Sequence, residues 1–316
     1  MSKKNILTIL GAAAMMCTAW VGSDTIDEAD RFVRDEVPTP WNFEVTTDTL
    51  EVEGQTWHVQ RVHRLLIEDY TGFMCVNCPD MASFIESTLI DDVDSLAIVV
   101  GMHMEGNSLS TTAASLSFQL STAEAAAYGE ALSGQTAANI GLPAVAVDRV
   151  TNSNSSTKAL CVGTTEANLS DVKKLSYSQY SRYNTTLDSD KPNVDLAVNV
   201  AAGTEANTYT LSTLVVSDEA TTLPLKLQIW VIENGITGIQ QTSDGIAIYQ
   251  HNHVFRASVN GTWGESITLG DDLNAVAQST LTINSGWKAE NCEVVAFVYR
   301  DDTNEVLNAV KVELVP

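Results

Sequence analysis

Positive charge is scarce in this chain. Its 316 residues hold 17 Lys and Arg against 40 Asp and Glu, a net charge of −23. Such a surface repels phosphate backbones, which argues against nucleic acid as a partner. It also lacks a basic patch for anionic lipid. Long apolar runs are missing after the extreme N-terminus, so no membrane-spanning helix is expected there. Cysteine is sparse: five in all, with one closely spaced pair, Cys75-Val76-Asn77-Cys78. No second CxxC or paired ligand motif accompanies it, which argues against a zinc site. No internal repeat is visible, and no motif calls for a cofactor.

What is present is enough apolar material for ordinary cores, 44% of residues, and a length that suits two domains. Lys3 and Lys4 precede a short apolar stretch, Ile6 to Met16, which is too short to span a bilayer. Residues 1–20 therefore read as an export signal. Cys17 stands where that stretch ends and is the expected lipidation site, although Met16 replaces the small residue usual before it. Ordinary cleavage near Ala19 is the alternative. Residues 21–42, rich in acids and closed by Pro38 and Pro40, read as a tether.

Residues 43–190 alternate strand and helix signals. Phe43 to Val45 and Leu50 to Val52 begin a strand pair with a turn signal at Glu53-Gly54-Gln55, and Val59 to Ile67 is a strand. Pro79 to Leu89 is a helix with Pro where its missing N–H is harmless. Leu96 to Met102 and Ala144 to Val147 are buried strands, with an Ala-rich helix over Thr122 to Leu132 between them. Leu169 to Tyr183 is a last helix. The alternation predicts an α/β unit with parallel pairing. From residue 191 the pattern changes to seven short β-rich runs separated by turn signals, from Val194–Val200 to Ala309–Leu314. This predicts a second, all-β domain over 191–316, an immunoglobulin-like sandwich.

The cysteine motif follows a strand and opens a helix. A helix N-terminus stabilises anions, so Cys75 would be an attacking thiolate and Cys78 would resolve the mixed disulfide. Asp69 lies six residues before Cys75, at the end of the preceding strand. Pro143 begins a later strand. These positions resemble those of the buried proton-relaying acid and the cis-proline in thioredoxin-like proteins, so Leu142–Pro143 is expected to be cis. Two features weaken the redox reading: Met74 stands where a Trp is common, and Asp80 disfavours a nearby thiolate. The plainer reading of Cys75–Cys78 is a fixed disulfide bracing the domain. If Cys17 is acylated, Cys161 and Cys292 are left as a second possible pair.

Several segments resemble the outer membrane protein family named for its 28-kDa member. They are Leu66-Ile67-Glu68-Asp69-Tyr70-Thr71-Gly72 with Cys75-Val76-Asn77-Cys78-Pro79, then His251-Asn252-His253-Val254-Phe255-Arg256 with Val259 to Glu265, then Val294 to Tyr299. The resemblance implies an outer-membrane lipoprotein, on the periplasmic face or the cell surface, with a thioredoxin-like domain followed by a β-domain. It supplies no substrate.

His251 and His253 would share one face of a strand and are weak candidates for a metal, without a third ligand. Hydrogen-bonded packing histidines are the plainer reading. Two functions follow. The first is a binding or structural component of the envelope that meets an envelope protein or an extracellular ligand. The second is a thiol-disulfide oxidoreductase or redox-linked chaperone using Cys75, Cys78, Asp69 and Pro143. Whether the chain is an enzyme is left open between them.

Overall fold

The computed structural model of the chain describes residues 45–90, 96–152, 158–185 and 192–314. The expected signal 1–20 with Cys17, and the tether 21–42, lie outside the described residues.

The chain opens with an antiparallel hairpin of β1 (Thr46–Val52) and β2 (Gln55–Arg61). Glu53 and Gly54 both take positive φ, 53° and 74°, which matches a two-residue turn to the twist of paired strands. The single strand expected over 59–67 is instead two, because the chain breaks at Val62–Arg64. Asn308 fastens that break: its Oδ1 accepts from the Arg64 N–H and its Nδ2 donates to the Val62 carbonyl.

β3 (Leu65–Thr71) leads through the cysteine motif into α1 (Cys78–Ile85) and then β4 (Ala97–His103), which pairs parallel with β3. α2 (Ala123–Ser133) is capped by the Thr122 hydroxyl, which accepts from Ala125 N–H at 3.1 Å. β5 (Ala144–Val147) runs antiparallel to β3, and β6 (Cys161–Val162) antiparallel to β5. α3 (Glu166–Thr185) follows.

The remainder is β: β7 (Val194–Ala202), β8 (Thr208–Ser217), β9 (Leu225–Glu233), β10 (Ile236–Thr242), β11 (Gly245–His251), β12 (Val254–Ser258), β13 (Glu265–Ile267), β14 (Asn274–Thr282), β15 (Cys292–Arg300) and β16 (Val306–Glu313). All seven runs expected here are strands. β10, β11 and β13 are strands outside those runs.

One sheet of nine strands spans both parts, in the order β16-β15-β9-β12-β4-β3-β5-β6 with β13 on β9. The seam is narrow: β12 meets β4 at Val254 opposite Gly101, and Gly101 N–H donates to His253 O at 2.7 Å. The boundary expected at 190/191 is therefore not a break in the sheet. A period-two pattern shows that a segment is a strand, not which strand it will neighbour.

Alternation then assigns the faces. One face carries a core running along the whole sheet, from Leu66 and Tyr70 through Val100 and Met102 to Trp230, Phe255 and Phe297, with α2 packed on it. On the other face Leu65, Ile67 and Val145 meet Met81 and Ile85 of α1 and Val172 of α3. Farther along that face a three-stranded sheet, β14-β8-β7, covers β9, β15 and β16 and closes a second core. The molecule is thus mostly β-sheet, with few helices among the described residues.

The shared core contains one charge pair. Arg149 Nε donates to Glu68 Oε1 at 2.6 Å, with both side chains at most 1% exposed. The guanidinium lies 5.1–5.5 Å from the rings of Tyr128, Trp230, Phe297 and Tyr299. Three of those rings, Trp230, Phe297 and Tyr299, come from strands on the far side of the seam, so this cation ties the two parts together.

Candidate functional site

β3 ends by passing its backbone under a neighbouring loop. A Cβ on Gly72 would collide with the Leu109 carbonyl, so the close approach requires glycine. The chain then turns through Cys75, whose N–H donates to Gly72 O at 2.9 Å. Cys78 opens α1, with Pro79 in its first turn and Asp80 beside it. Cys75 and Cys78 form a disulfide, with Cα atoms 5.4 Å apart. Each is 2% exposed, whereas Val76 between them is 44% exposed. Leu142–Pro143 is cis, as expected.

The roof over this motif is the β10–β11 hairpin. Gln241 N–H donates to Phe73 O at 2.7 Å. The buried Gln240 Nε2 donates to Gly72 O at 3.2 Å and Cys75 O at 2.9 Å. Phe73 and Met74 pack with Phe118, Leu120 and Val254, so the residue standing in place of a Trp is a core contact. The sequence signal for the hairpin is Asp244-Gly245 between two alternating runs.

Asp69 faces the same side as Ile67, toward α1. It is 5% exposed, and its Oδ1 has no hydrogen-bond partner. Burial alone raises its carboxyl from 3.8 to about 7. It lines a pocket of about 390 Å³ together with Cys78, Pro79, Gln240, Tyr249 and His253. The structure thus brings Asp69 and Cys78 together. Pro143 is not among the pocket's lining residues, and its carbonyl accepts from Gly163 N–H at 2.7 Å.

Two expectations are corrected. His251 and His253 do not share a strand face: β11 ends at His251, and His253 sits in the connection to β12 with φ +56°. A positive φ between the strands breaks the period-two rule on which the shared face depended. His251 instead packs edge-on to His103, ring centroids 5.7 Å apart, and stacks on Phe118. Burial first, then His251 and Arg256, lower His103 from 6.5 to about 3. No group of three His, Cys, Asp or Glu suited to a metal occurs among the described residues. Cys161 and Cys292 are both free and buried, not paired. Cys161 belongs to the core under α3 and Cys292 to the core under β14-β8-β7, so different packing layers hold them. Spacing in sequence carried no information on that separation.

Among curated proteins none matches this sequence. Two solved structures from Porphyromonas gingivalis are similar to it. HBP35 superposes with a TM-score of 0.60 at 15% identity, over 80% of this chain and 76% of that one, a likeness of fold alone. A domain of the outer membrane lipoprotein Omp28 is 27% identical, with a TM-score of 0.30, over 42% of this chain and 95% of that one. The family model for outer membrane protein Omp28 matches residues 135–316, which include β5, the β10–β11 roof and every strand beyond the seam. The chain belongs to the Omp28 family and is an exported protein of the outer membrane.

Proposed function

We propose that the protein is a lipid-anchored binding component of the outer membrane, with a thioredoxin-like scaffold and an immunoglobulin-like sandwich that meets its partner. Burial of the cysteine pair carries this reading. Thiol exchange needs an incoming sulfur to reach a disulfide sulfur, and exchangeable cysteines are partly exposed. Here both are 2% exposed beneath the β10–β11 roof. The pair then acts as a brace that holds the β3–α1 corner.

The thioredoxin-like description is supported by the order β4-β3-β5-β6, with β3 and β4 parallel around α1 and β5 antiparallel behind Pro143. The sandwich is supported by β14-β8-β7 facing β16-β15-β9 across one apolar core. The anchor at Cys17, the tether 21–42 and a functional division at residue 190 are parts of the same proposal, supported by the charge and apolar pattern of the N-terminus and by the change of pattern after residue 190. The partner is an envelope protein or an extracellular ligand.

The test is catalytic turnover. The purified wild-type protein should not accelerate insulin reduction by dithiothreitol, and a Cys78→Ser variant expressed in the envelope should retain no mixed disulfides. Turnover, or a trapped substrate, overturns the scaffold reading. Labelling with an alkyne fatty acid should mark the wild type and not Cys17→Ser. An unlabelled wild type removes the anchor.

One observation favours thiol exchange as a second reading: Asp69 lines the same pocket as Cys78. A carboxyl near neutrality beside the buried cysteine could take its proton.

A further inference from the structure

The pocket beside Cys78 is a distinct feature of the surface. Its floor is Asp69, whose Oδ1 has no partner although the side chain is nearly fully buried. Unsatisfied buried carboxylates are costly, and a group at this position calls for a donor from outside the chain. The wall along α1 and β4 offers Pro79, Ala82, Ile85 and Val99, an apolar lining for a carbon skeleton. The facing wall is polar, with Gln240, Tyr249, Asn252 and His253. Glu86 and Gln250 are exposed at its rim. The volume, about 390 Å³, lies in the range of small-molecule sites.

Charge decides the class of ligand. The titratable residues lining the pocket are Asp69, Glu86, Tyr249 and His253, and no Lys or Arg lines it. His253 is held below its usual range by burial first and then by Lys311. An anion would therefore meet two carboxyls and no cation. A neutral ligand could bond Asp69 but would leave its charge uncompensated. A cation with N–H donors supplies both what the carboxylate lacks. The net charge of −23 also concentrates cations around the chain.

We propose that this pocket binds a small organic ammonium ion, a primary amine whose N–H groups donate to the Asp69 carboxylate while its carbon skeleton lies along α1. This site goes beyond the partner-binding role proposed above and does not rest on it, since it is built beside the cysteine motif and not on the sandwich.

The test is calorimetric titration of the full-length protein at pH 7.5 with methylammonium, n-butylammonium and benzylammonium, with benzyl alcohol and benzoate as neutral and anionic matches. At least one amine should bind saturably, and about tenfold or more tighter than its neutral match, a difference of ~1.4 kcal/mol. Binding should weaken by about tenfold for each pH unit below the Asp69 titration, because the proton and the ammonium compete for one carboxylate. Asp69→Asn should lose at least about tenfold in affinity. Ala82→Leu, which fills the apolar wall and leaves Asp69 in place, should abolish binding of benzylammonium. Failure of all three amines to bind the wild type overturns the proposal. So does equal binding of benzyl alcohol, or affinity unchanged in a folded Asp69→Asn protein.

Discussion

Asp69→Asn should stabilise this protein in alkaline solution and do little in acid. The Asp69 carboxyl rises from 3.8 to about 7 because burial penalises its charged form. A raised folded-state value means that the native state holds its proton more tightly than the unfolded chain does. Its favourable contribution is complete below pH 3.8 and is lost as pH climbs through 7. The displacement is about three units, and at ~1.4 kcal/mol per unit it amounts to about 4 kcal/mol lost by pH 8. Asparagine carries no charge to desolvate but still presents an amide that needs partners, which returns part of the gain. The expected result is a variant about 2–4 kcal/mol more stable than wild type at pH 8, and within about 1 kcal/mol of it at pH 4. Urea unfolding followed by far-ultraviolet circular dichroism at both pH values measures this. If Asp69→Asn is equally destabilised at pH 4 and pH 8, the carboxyl is not the desolvated group described above.

Other consequences of the structure can be measured in the same way. Gln240→Ala removes the two bonds that tie the roof to Gly72 and Cys75, worth about 1–2 kcal/mol, so reduction of the disulfide by phosphine should quicken by roughly tenfold; an unchanged rate would show that the roof does not control access. Arg149→Met leaves Glu68 buried without its cation and should cost about 3–5 kcal/mol in thermal or urea unfolding, of which Glu68→Gln on the same background should restore a part. Replacing both Cys75 and Cys78 by Ser opens a loop of only four residues and should cost about 2 kcal/mol by chain entropy, with far-ultraviolet circular dichroism unchanged. Acid should act on His103: its lowered value, about 3, means a contribution complete above pH 6.5 and lost as pH falls toward 3, so His103→Phe should flatten the loss of stability across that window.

Much of the cysteine corner was legible in the sequence because its signals are local. A strand, a CxxC opening a helix on Pro79, and Ala144 to Val147 as a short buried strand each depend on residues close together in the chain. The Asp69 offset was legible for the same reason: alternation along β3 turns residue 69 to the α1 side. What was not legible lies across the chain. Gln240 reaches Cys75 over 165 residues, and His251 finds His103, not His253, because β11 ends and the backbone reverses its handedness before the next strand. The roof hairpin also hid itself by composition. Ile246 and Ile248 are 60% and 82% exposed, so its apolar residues do not mark a buried face. Cys161 and Cys292 appeared matched only because they were the two left over.

The narrow seam between β4 and β12 has a consequence for how the protein is made. Residues 96–103 leave the ribosome and cross the inner membrane about 150 residues ahead of their partner at Val254. Until then β4 is an unprotected central strand, with Val100 and Met102 awaiting Trp230 and Phe255 across the shared core. Open apolar edges of this kind recruit other chains, and long-range pairing is slow to form. A chain shortened at residue 190 should therefore aggregate instead of folding as a free N-terminal unit. In the envelope, the full-length chain would depend on a periplasmic holding factor until its last strands arrive.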